Sequence, residues 1–173
     1  FFKQEEITGM SVKERCKRGI GYIPSDRYKR AILPGFSLKD NYLLGNQYKD
    51  SYARKGMLNQ EYIEKKTKEL MEKFDVRAVN GDQLIGALSG GNQQKLVLSR
   101  EADKDPDLIL ACQPVRGLDI GAIKFIHNVL LELRNQGKAV LLISAELSDL
   151  FQLSDRIGVL YKGEMMSLQE TEK

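Results

Sequence analysis

The sequence is poor in the residues that metal sites and disulfide frameworks require. Among its 173 residues there are two cysteines, Cys16 and Cys112, which stand far apart, and one histidine, His127. Without a Cys-x-x-Cys pair or further histidines, no structural zinc site is expected. Two isolated thiols fit a reduced, cytosolic compartment.

Long apolar runs are missing as well. Uninterrupted apolar stretches such as 139–143 are far shorter than the roughly 20 residues that a membrane-spanning helix needs. The first residues contain no charged leader followed by an apolar segment, so no secretion signal is expected. The chain opens at Phe1 without a methionine, and we therefore expect it to begin inside a longer protein.

An excess of one charge sign is also lacking. The chain has 27 Lys and Arg against 24 Asp and Glu, a net charge of +3, and the two signs are interspersed. This balance gives no reason to expect nucleic acid as a partner. With 42% apolar and 29% charged residues, the composition is that of a soluble globular domain and excludes a disordered chain, collagen and a long coiled coil.

Apolar segments of two kinds divide the sequence. Short apolar segments predict strands at 18–24, 107–112, 139–144, 157–161 and 165–168. Capped segments with helical spacing predict helices at 37–44, 60–74, 89–103, 120–135 and 146–153. Polar loops are predicted at 25–30 and 50–56, and a connector at 81–87. Strands that alternate with helices predict an α/β fold whose parallel sheet is covered on both faces.

The predicted helices are concentrated in the middle of the chain. We expect 34–104 to form a helical subdomain that ends with the helix starting at Ser89. Residues 1–33 and 105–173 would then supply the two parts of one α/β core around it.

The most informative segment is Leu-Ser-Gly-Gly-Asn-Gln-Gln-Lys, from Leu88 to Lys95. Ser89, Gly90 and Gly91 open a predicted helix, and the first N–H groups of a helix have no intrahelical acceptors. Glycine lets an oxyanion approach the backbone and the serine hydroxyl adds a donor, so this arrangement suits a terminal phosphate. A serine-capped helix start without a ligand is the plain alternative.

The whole octapeptide resembles the signature motif of ATP-binding cassette (ABC) ATPases, in the form found in importers of simple sugars and nucleosides. Other segments resemble motifs of that family in the same order: 22–27 its Q-loop, 106–114 its Walker B strand, 116–119 its D-loop and 141–145 the strand before its switch histidine. The resemblance covers essentially the whole chain. It implies a partial P-loop NTPase (RecA-like) core with a parallel sheet, plus a helical subdomain.

One motif of the family is missing. The Walker A loop, Gly-x-x-x-x-Gly-Lys-Ser/Thr, is not found in the chain. The segment 86–91 has its glycine spacing, but Asn92 and Gln93 follow in place of Lys-Ser/Thr. The resemblance therefore implies a cassette without its own phosphate cradle.

The hydrolytic positions depart from the family as well. By the resemblance, Cys112 and Gln113 stand where the Walker B aspartate and the catalytic glutamate belong. An amide cannot act as a general base, and a thiol at the end of a strand behaves as a small apolar group. Ala145 takes the place of the switch histidine, and Ser25 that of the Q-loop glutamine. No catalytic residue is intact, no metal site is expected, and the isolated chain is expected to be inactive.

The resemblance implies a division of labour between two cassettes. In importers of this kind two cassettes are fused in one polypeptide, and the second is often degenerate. Each ATP lies between the Walker motifs of one cassette and the signature of the other. This chain would be most of such a second cassette. Ser89, Gly90, Gly91 and Gln93 would hold the γ-phosphate of ATP bound to the first cassette, and Asp119 would contact that cassette near its Walker A loop.

Partners and cofactors follow from the same resemblance. ATP and Mg²⁺ would be used in the assembled transporter, on the cytoplasmic side of the cell membrane. The surface between Phe36 and Tyr48 would dock transmembrane permease subunits, or else be plain subdomain packing. The segment 113–123 resembles the nucleoside branch more than the ribose or xylose branch. A missing strand beside 139–144 would leave an open sheet edge and favour self-association.

Two other functions stay open. One is a structural interaction module that never meets nucleotide. The other is an ABC-type head of a DNA-maintenance ATPase, although no heptad coiled coil borders the signature. Among single residues, His127 is interpreted as structural or solvated, Cys112 as a buried structural cysteine, and 27–30 as a solvated basic loop rather than a phosphate site.

Overall fold

A computed structural model describes residues 1–171 of the chain. Its helices are α1 Val12–Lys17, α2 Arg27–Arg30, α3 Leu38–Leu43, α4 Gln60–Lys73, α5 Gly90–Ala102, α6 Ile120–Asn135 and α7 Leu147–Leu153. Its strands are β1 Ile20–Ile23, β2 Ala53–Arg54, β3 Met57–Leu58, β4 Leu108–Cys112, β5 Ala139–Ile143, β6 Arg156–Tyr161 and β7 Glu164–Glu170. Within these residues, no helix has the length and apolar character that crossing a lipid bilayer would require.

The centre of the fold is a parallel sheet of three strands in the order β1-β4-β5. Ile20 of β1 lies opposite Leu108 of β4, and Leu108 lies opposite Ala139 of β5. Helix α5 packs against β1, and α6 packs against both α5 and β5. The expected α/β class with a parallel sheet and added helices is confirmed.

Helix α5 lies in the middle of the packing. Ten of its thirteen residues are buried, because α3 and α4 cover the side that faces away from the sheet. Leu96, Val97 and Leu98 are fully shielded from solvent. The hydroxyl of Ser99 donates a hydrogen bond to the hydroxyl of Tyr42 on α3, at 3.1 Å. Helix α5 is therefore held by β1 and α6 on one side and by α3 and α4 on the other.

Short elements replace some of the predicted loops. The segment 25–30 contains α2, capped by Asp26, whose side chain accepts from the N–H of Lys29. The segment 50–56 contributes to the two-stranded hairpin of β2 and β3. Helix α1 was not predicted, although Ser11 and Glu14 form a reciprocal capping box at its start. Elements this short give almost no periodic signal in a sequence.

The C-terminal end of the core is open, which corrects the expectation of a sheet covered on both faces. Strand β5 pairs with β4 on one side, and no other described strand pairs with its second edge. Leu141 and Ile143 are 53% and 52% exposed. The strands β6 and β7 form a separate antiparallel hairpin on which Leu160 is 70% exposed.

The division into 1–33, 34–104 and 105–173 stays a prediction. Residues 172 and 173 of the last segment lie outside the described residues.

Candidate phosphate-binding site

The predicted phosphate-binding residues lie together at the start of α5. Ser89 is the N-cap residue with extended backbone, and its hydroxyl oxygen accepts from the N–H of Asn92 at 3.4 Å and from Asn92 Nδ2 at 3.1 Å. Ser89 is exposed, and Gly90 is half-buried beside it. Because the first N–H groups of an α-helix have no intrahelical acceptor, this end offers donors and a positive partial charge.

Gly91 lies where α5 touches α6. A Cβ atom at Gly91 would lie 2.8 Å from the Cβ of Ala122 and 3.1 Å from Oδ2 of Asp119. The separation from Ala122 is too short for a side chain and the one from Asp119 is tight, so glycine allows the close approach of the two helices here. Packing alone thus accounts for Gly91, whether or not its N–H also meets a ligand.

Gln93 requires a correction. Its side chain is fully buried, and its Nε2 donates to the carbonyl oxygens of Ile85 at 3.2 Å and Leu88 at 3.1 Å. Its Oε1 accepts from Nε of Arg27 at 3.1 Å. The expected direct contact with a γ-phosphate does not fit this geometry, because the whole amide faces the protein interior and is already bonded.

Lys95, the last residue of the octapeptide, also points away from the helix start. Its Nζ donates to Oδ2 of Asp75 at 2.6 Å and to the carbonyl oxygen of Asp75 at 3.0 Å. The same ammonium lies 4.5 Å from the centre of the Phe125 ring. The hydrogen bond from Lys95 Nζ lowers the pKa of the Asp75 carboxyl. Lys95 therefore ties α5 to the end of α4 and to α6.

Asp119 closes the side of the site that faces α6. It caps that helix, with Oδ1 accepting from the N–H of Ala122 at 2.9 Å, and it remains exposed. The neighbouring Leu118 would lie 3.7 Å from a Cβ atom on Gly90. The end of the segment 116–119 therefore borders the start of α5, and the expected contact of Asp119 with another cassette stays a prediction.

The positions that the resemblance predicts to be degenerate lie elsewhere, at or just after the carboxyl ends of the parallel strands. Gln113 follows β4 with a positive φ of 48°, and its N–H donates to the carbonyl oxygen of Ile143 at 2.7 Å. Cys112 is half-buried and free. Ala145 and Ser25 are exposed residues beyond β5 and β1. Because the strands are parallel, these four positions lie at the same end of the sheet, where the carboxyl ends of the strands meet.

The residues at this end of the sheet do not fit a magnesium ion. Mg²⁺ prefers hard oxygen ligands in octahedral geometry, and carboxylates are its usual protein donors. Here a thiol and an amide end the central strand. Among residues 1–171, no group of three or more His, Cys, Asp or Glu side chains could hold a metal ion.

A cavity of about 690 Å³ lies beside this end of the sheet. It is lined in part by Gln113, His127 and Asp149. His127 is buried, as one of its two expected interpretations required, and its Nε2 lies 3.4 Å from Oδ1 of Asp149. The hydroxyl of Ser144 donates to Oδ2 of Asp149 at 3.0 Å. Sequence patterns do not reveal this chain of contacts, because its members come from three separate elements. It joins α6, α7 and the end of β5.

Comparison with curated proteins finds import ATP-binding proteins over nearly the whole chain. The guanosine import ATP-binding protein NupO of Bacillus subtilis is 43% identical over 94% of this chain and 32% of its own length. The nucleoside import ATP-binding protein NupA of Lactococcus lactis is 38% identical over 97% of this chain and 33% of its own length. A ribose import ATP-binding protein, RbsA of Bacillus cereus, is 31% identical over 100% of this chain and 35% of its own length. The chain thus spans about a third of the length of the curated relatives it matches.

Comparison with solved structures finds ATP-binding cassettes. A dimeric cassette in a post-hydrolysis state, bound to ADP and Pi, matches with a TM-score of 0.80 at 22% identity, over 100% of this chain and 73% of that chain. A nucleotide-free cassette of an ABC transporter matches with a TM-score of 0.77 at 21% identity, over 99% of this chain and 69% of that chain. No protein-family model matches the chain. The fold is that of an ABC ATPase cassette.

Proposed function

We propose that this chain, with the fold of an ABC ATPase cassette, acts as the second, degenerate nucleotide-binding domain of a nucleoside or sugar importer. Its Ser89, Gly90 and Gly91 complete an ATP site whose Walker motifs belong to the first cassette. Asp119 contacts that first cassette across the same interface. The chain thus contributes to hydrolysis of an ATP that it does not itself cradle.

The observation that carries this proposal is the contrast between two ends of the fold. The start of α5 has an exposed serine hydroxyl and free N–H donors on a helix that is buried along most of its length. The carboxyl ends of β4 and β5 present Cys112, Gln113 and Ala145, which can neither hold Mg²⁺ nor activate water. Phosphate-binding chemistry without hydrolytic chemistry fits a domain that completes a partner's site.

Nucleoside is the favoured cargo class. The relative named for guanosine import is 43% identical to this chain, whereas relatives named for glucose import and ribose import are 37% and 31% identical. This order agrees with the resemblance of 113–123 to the nucleoside branch. The solute itself would be selected by other parts of the transporter.

The proposed partners are the first cassette and the transmembrane permease subunits, at the cytoplasmic face of the membrane. ATP and Mg²⁺ belong to the assembled transporter. The helical region around α3 presents Phe36 and Tyr48, which are 53% and 62% exposed, and would meet the permease. Aromatic side chains exposed on one region suit a protein interface.

The experiment replaces Ser89 in the complete protein that carries this chain. Ser89→Arg should lower the steady-state ATPase rate by roughly 100-fold, because a bulky cation at the helix start blocks the donors that meet the phosphate. Val79→Arg is the control for a bulky cation placed on the surface, since Val79 is 89% exposed. An ATPase rate that is the same for Ser89→Arg and Val79→Arg would contradict the proposed function.

A further inference from the structure

The side chain of Arg27 lies over the start of α5. Its Nε donates to Oε1 of Gln93 at 3.1 Å. A Cβ atom built on Gly90 would lie 2.6 Å from the terminal nitrogen Nη2 of Arg27. The guanidinium is therefore next to the backbone at which a phosphate would enter, and it comes from a segment, 27–30, whose sequence predicted only a solvated loop.

A buried amide fixes the direction of this guanidinium. Gln93 is fully buried, and its Nε2 is held by the carbonyl oxygens of Ile85 and Leu88. Since both Nε2 hydrogens are directed at these carbonyls, Oε1 is left facing Arg27. An arginine at the surface ordinarily samples many rotamers, so a buried acceptor for its Nε orders the charged end. The terminal nitrogens then remain to meet a ligand.

The electrostatics of the helix start favour an anion. The N-terminus of α5 carries positive partial charge, which repels a cation placed beside it. Among residues 1–171, no carboxylate forms an ion pair with Arg27, and the adjacent Asp26 is 3.8 Å from Lys29 instead. The charged group that faces the site from the start of α6 is Asp119, whose Oδ1 caps that helix and whose Oδ2 lies 3.1 Å from a Cβ atom built on Gly91. An incoming phosphate would relieve the repulsion between the guanidinium and the helix end.

We propose that Arg27 is a phosphate-binding residue of the shared ATP site and that Gln93 is its positioning residue. The proposal rests on the proposed function, because the phosphate belongs to ATP held by the first cassette. Arg27 would donate from its terminal nitrogens to the γ-phosphate beside the N–H groups of Gly90 and Gly91. Gln93, which cannot reach the ligand, keeps the guanidinium in place.

The test measures kcat, KM for ATP and the melting temperature of the complete protein. Arg27→Ala should raise KM for ATP about tenfold, because a charge-assisted hydrogen bond to the phosphate is lost. It should also lower the melting temperature by a few degrees, because the buried Oε1 of Gln93 loses its donor. Arg27→Lys should give an intermediate KM, since the charge is kept and the paired donors are not. Arg30→Ala is the matched control. Arg30 is exposed on the same helical turn, and its side chain makes no hydrogen bond or ion pair among the described residues.

A second variant tests the positioning role. Gln93→Leu should raise KM for ATP as Arg27→Ala does, and the double variant should be no worse than either single variant. An additive effect in the double variant would contradict the positioning role.

Two results would overturn the assignment of Arg27. The first is an unchanged KM for ATP in Arg27→Ala. The second is a lower melting temperature with KM unchanged, which is what a structural role alone predicts. Ser89→Arg measured in the same assay separates the two proposals. If Ser89→Arg abolishes ATPase activity while Arg27→Ala leaves KM unchanged, only the Arg27 proposal fails. If Ser89→Arg is also without effect, the shared site itself fails.

Discussion

The start of α5 and the carboxyl ends of β4 and β5 both lie where an ABC cassette does phosphate chemistry, yet they differ in every respect that matters for it. At α5 the donors are present, and the helix behind them is fixed by buried side chains and by the contact of Lys95 with Asp75. At the strand ends stand Cys112 and Gln113, a thiol and an amide, which suit neither Mg²⁺ nor general-base chemistry. The proposed function assigns phosphate binding to the first region and no hydrolytic role to the second.

The two regions also differ in how completely they are packed. Ten of the thirteen residues of α5 are buried, whereas alternate residues of β5 are exposed and its second edge has no partner among the described strands. An apolar strand with an unpaired edge is a site where further chain is expected to pair. The comparison shows that α5 is enclosed by its neighbours, whereas β5 leaves apolar side chains and one edge uncovered among the described residues.

The largest effect is expected from ATP added to the isolated chain. Calorimetric titration with Mg·ATP should show no saturable binding in the micromolar range. The chain has no Walker A loop to hold the phosphates, and Cys112 and Gln113 do not suit Mg²⁺. Stoichiometric binding with a micromolar Kd would mean that the strand-end region is competent after all, and the contrast between the two regions would disappear.

The isolated chain is also expected to self-associate through the open end of its core. Light scattering should report an oligomer, and Leu141→Lys should shift it toward the monomer, because a charge beside an edge strand discourages pairing. Val79→Lys, at a residue 89% exposed in another region, is the control. A strict monomer, together with slow amide exchange throughout 139–168, would show that this region is complete as it stands.

A smaller effect is expected from removing the Lys95 ammonium, which links α5 to Asp75. Lys95→Met should lower the free energy of unfolding by about 1–2 kcal/mol, because the bond to the half-exposed Asp75 carboxylate is lost. For a domain of this size the melting temperature should fall by roughly 3–6 °C. Thermal unfolding of the wild type and the variant measures both quantities. An unchanged melting temperature would show that the start of α5 is held by other contacts.

The contact of Lys95 with Asp75 also makes the stability of the folded chain depend on pH. Lys95 lowers the pKa of Asp75 in the folded chain, so its stabilisation is fully present above the ordinary aspartate pKa of about 4. It is lost as the pH falls through the lowered pKa. The difference in stability between the wild type and Lys95→Met should therefore shrink in strong acid. A difference that stays constant down to pH 2 would exclude this linkage.

The smallest effect is expected at Gln113. In the complete protein, Gln113→Ala should change the ATPase rate by less than about twofold, because an amide is not a general base. Steady-state ATPase measurements beside Ser89→Arg give the comparison directly. A loss for Gln113→Ala as large as that for Ser89→Arg would mean that both regions take part in hydrolysis.

The sequence was sufficient for the long elements and for the serine cap. The helix starting at Ser89, the helix 120–135 and the strands at 107–112 and 139–144 all carry clear apolar periods or caps, and the structure places them within a residue or two. These signals are local, so they survive without knowledge of the fold.

The sequence was insufficient wherever a side chain's direction depends on a distant element. Gln93 lies among the predicted phosphate-binding residues in sequence, but its side chain turns inward, where Arg27 and two carbonyl groups bond to it. The exposure of Leu141 and Ile143 depends on which strand lies beside β5, and apolar character alone does not reveal that. The segment that contains Arg27 was predicted to be an ordinary solvated basic loop, because the position of Arg27 over Gly90 arises only in the folded chain.

The central claim is that this chain completes an ATP site on another cassette, and ATP-dependent association tests it most directly. The chain is mixed with an intact first cassette that carries its own Walker motifs and cannot hydrolyse ATP, and binding is followed with and without Mg·ATP. We predict association that requires Mg·ATP and is lost in the Ser89→Arg variant of this chain, while Gln113→Ala leaves it unchanged. Association of equal strength without nucleotide, insensitive to Ser89→Arg, would contradict the account and identify the chain as an interaction module that does not meet ATP.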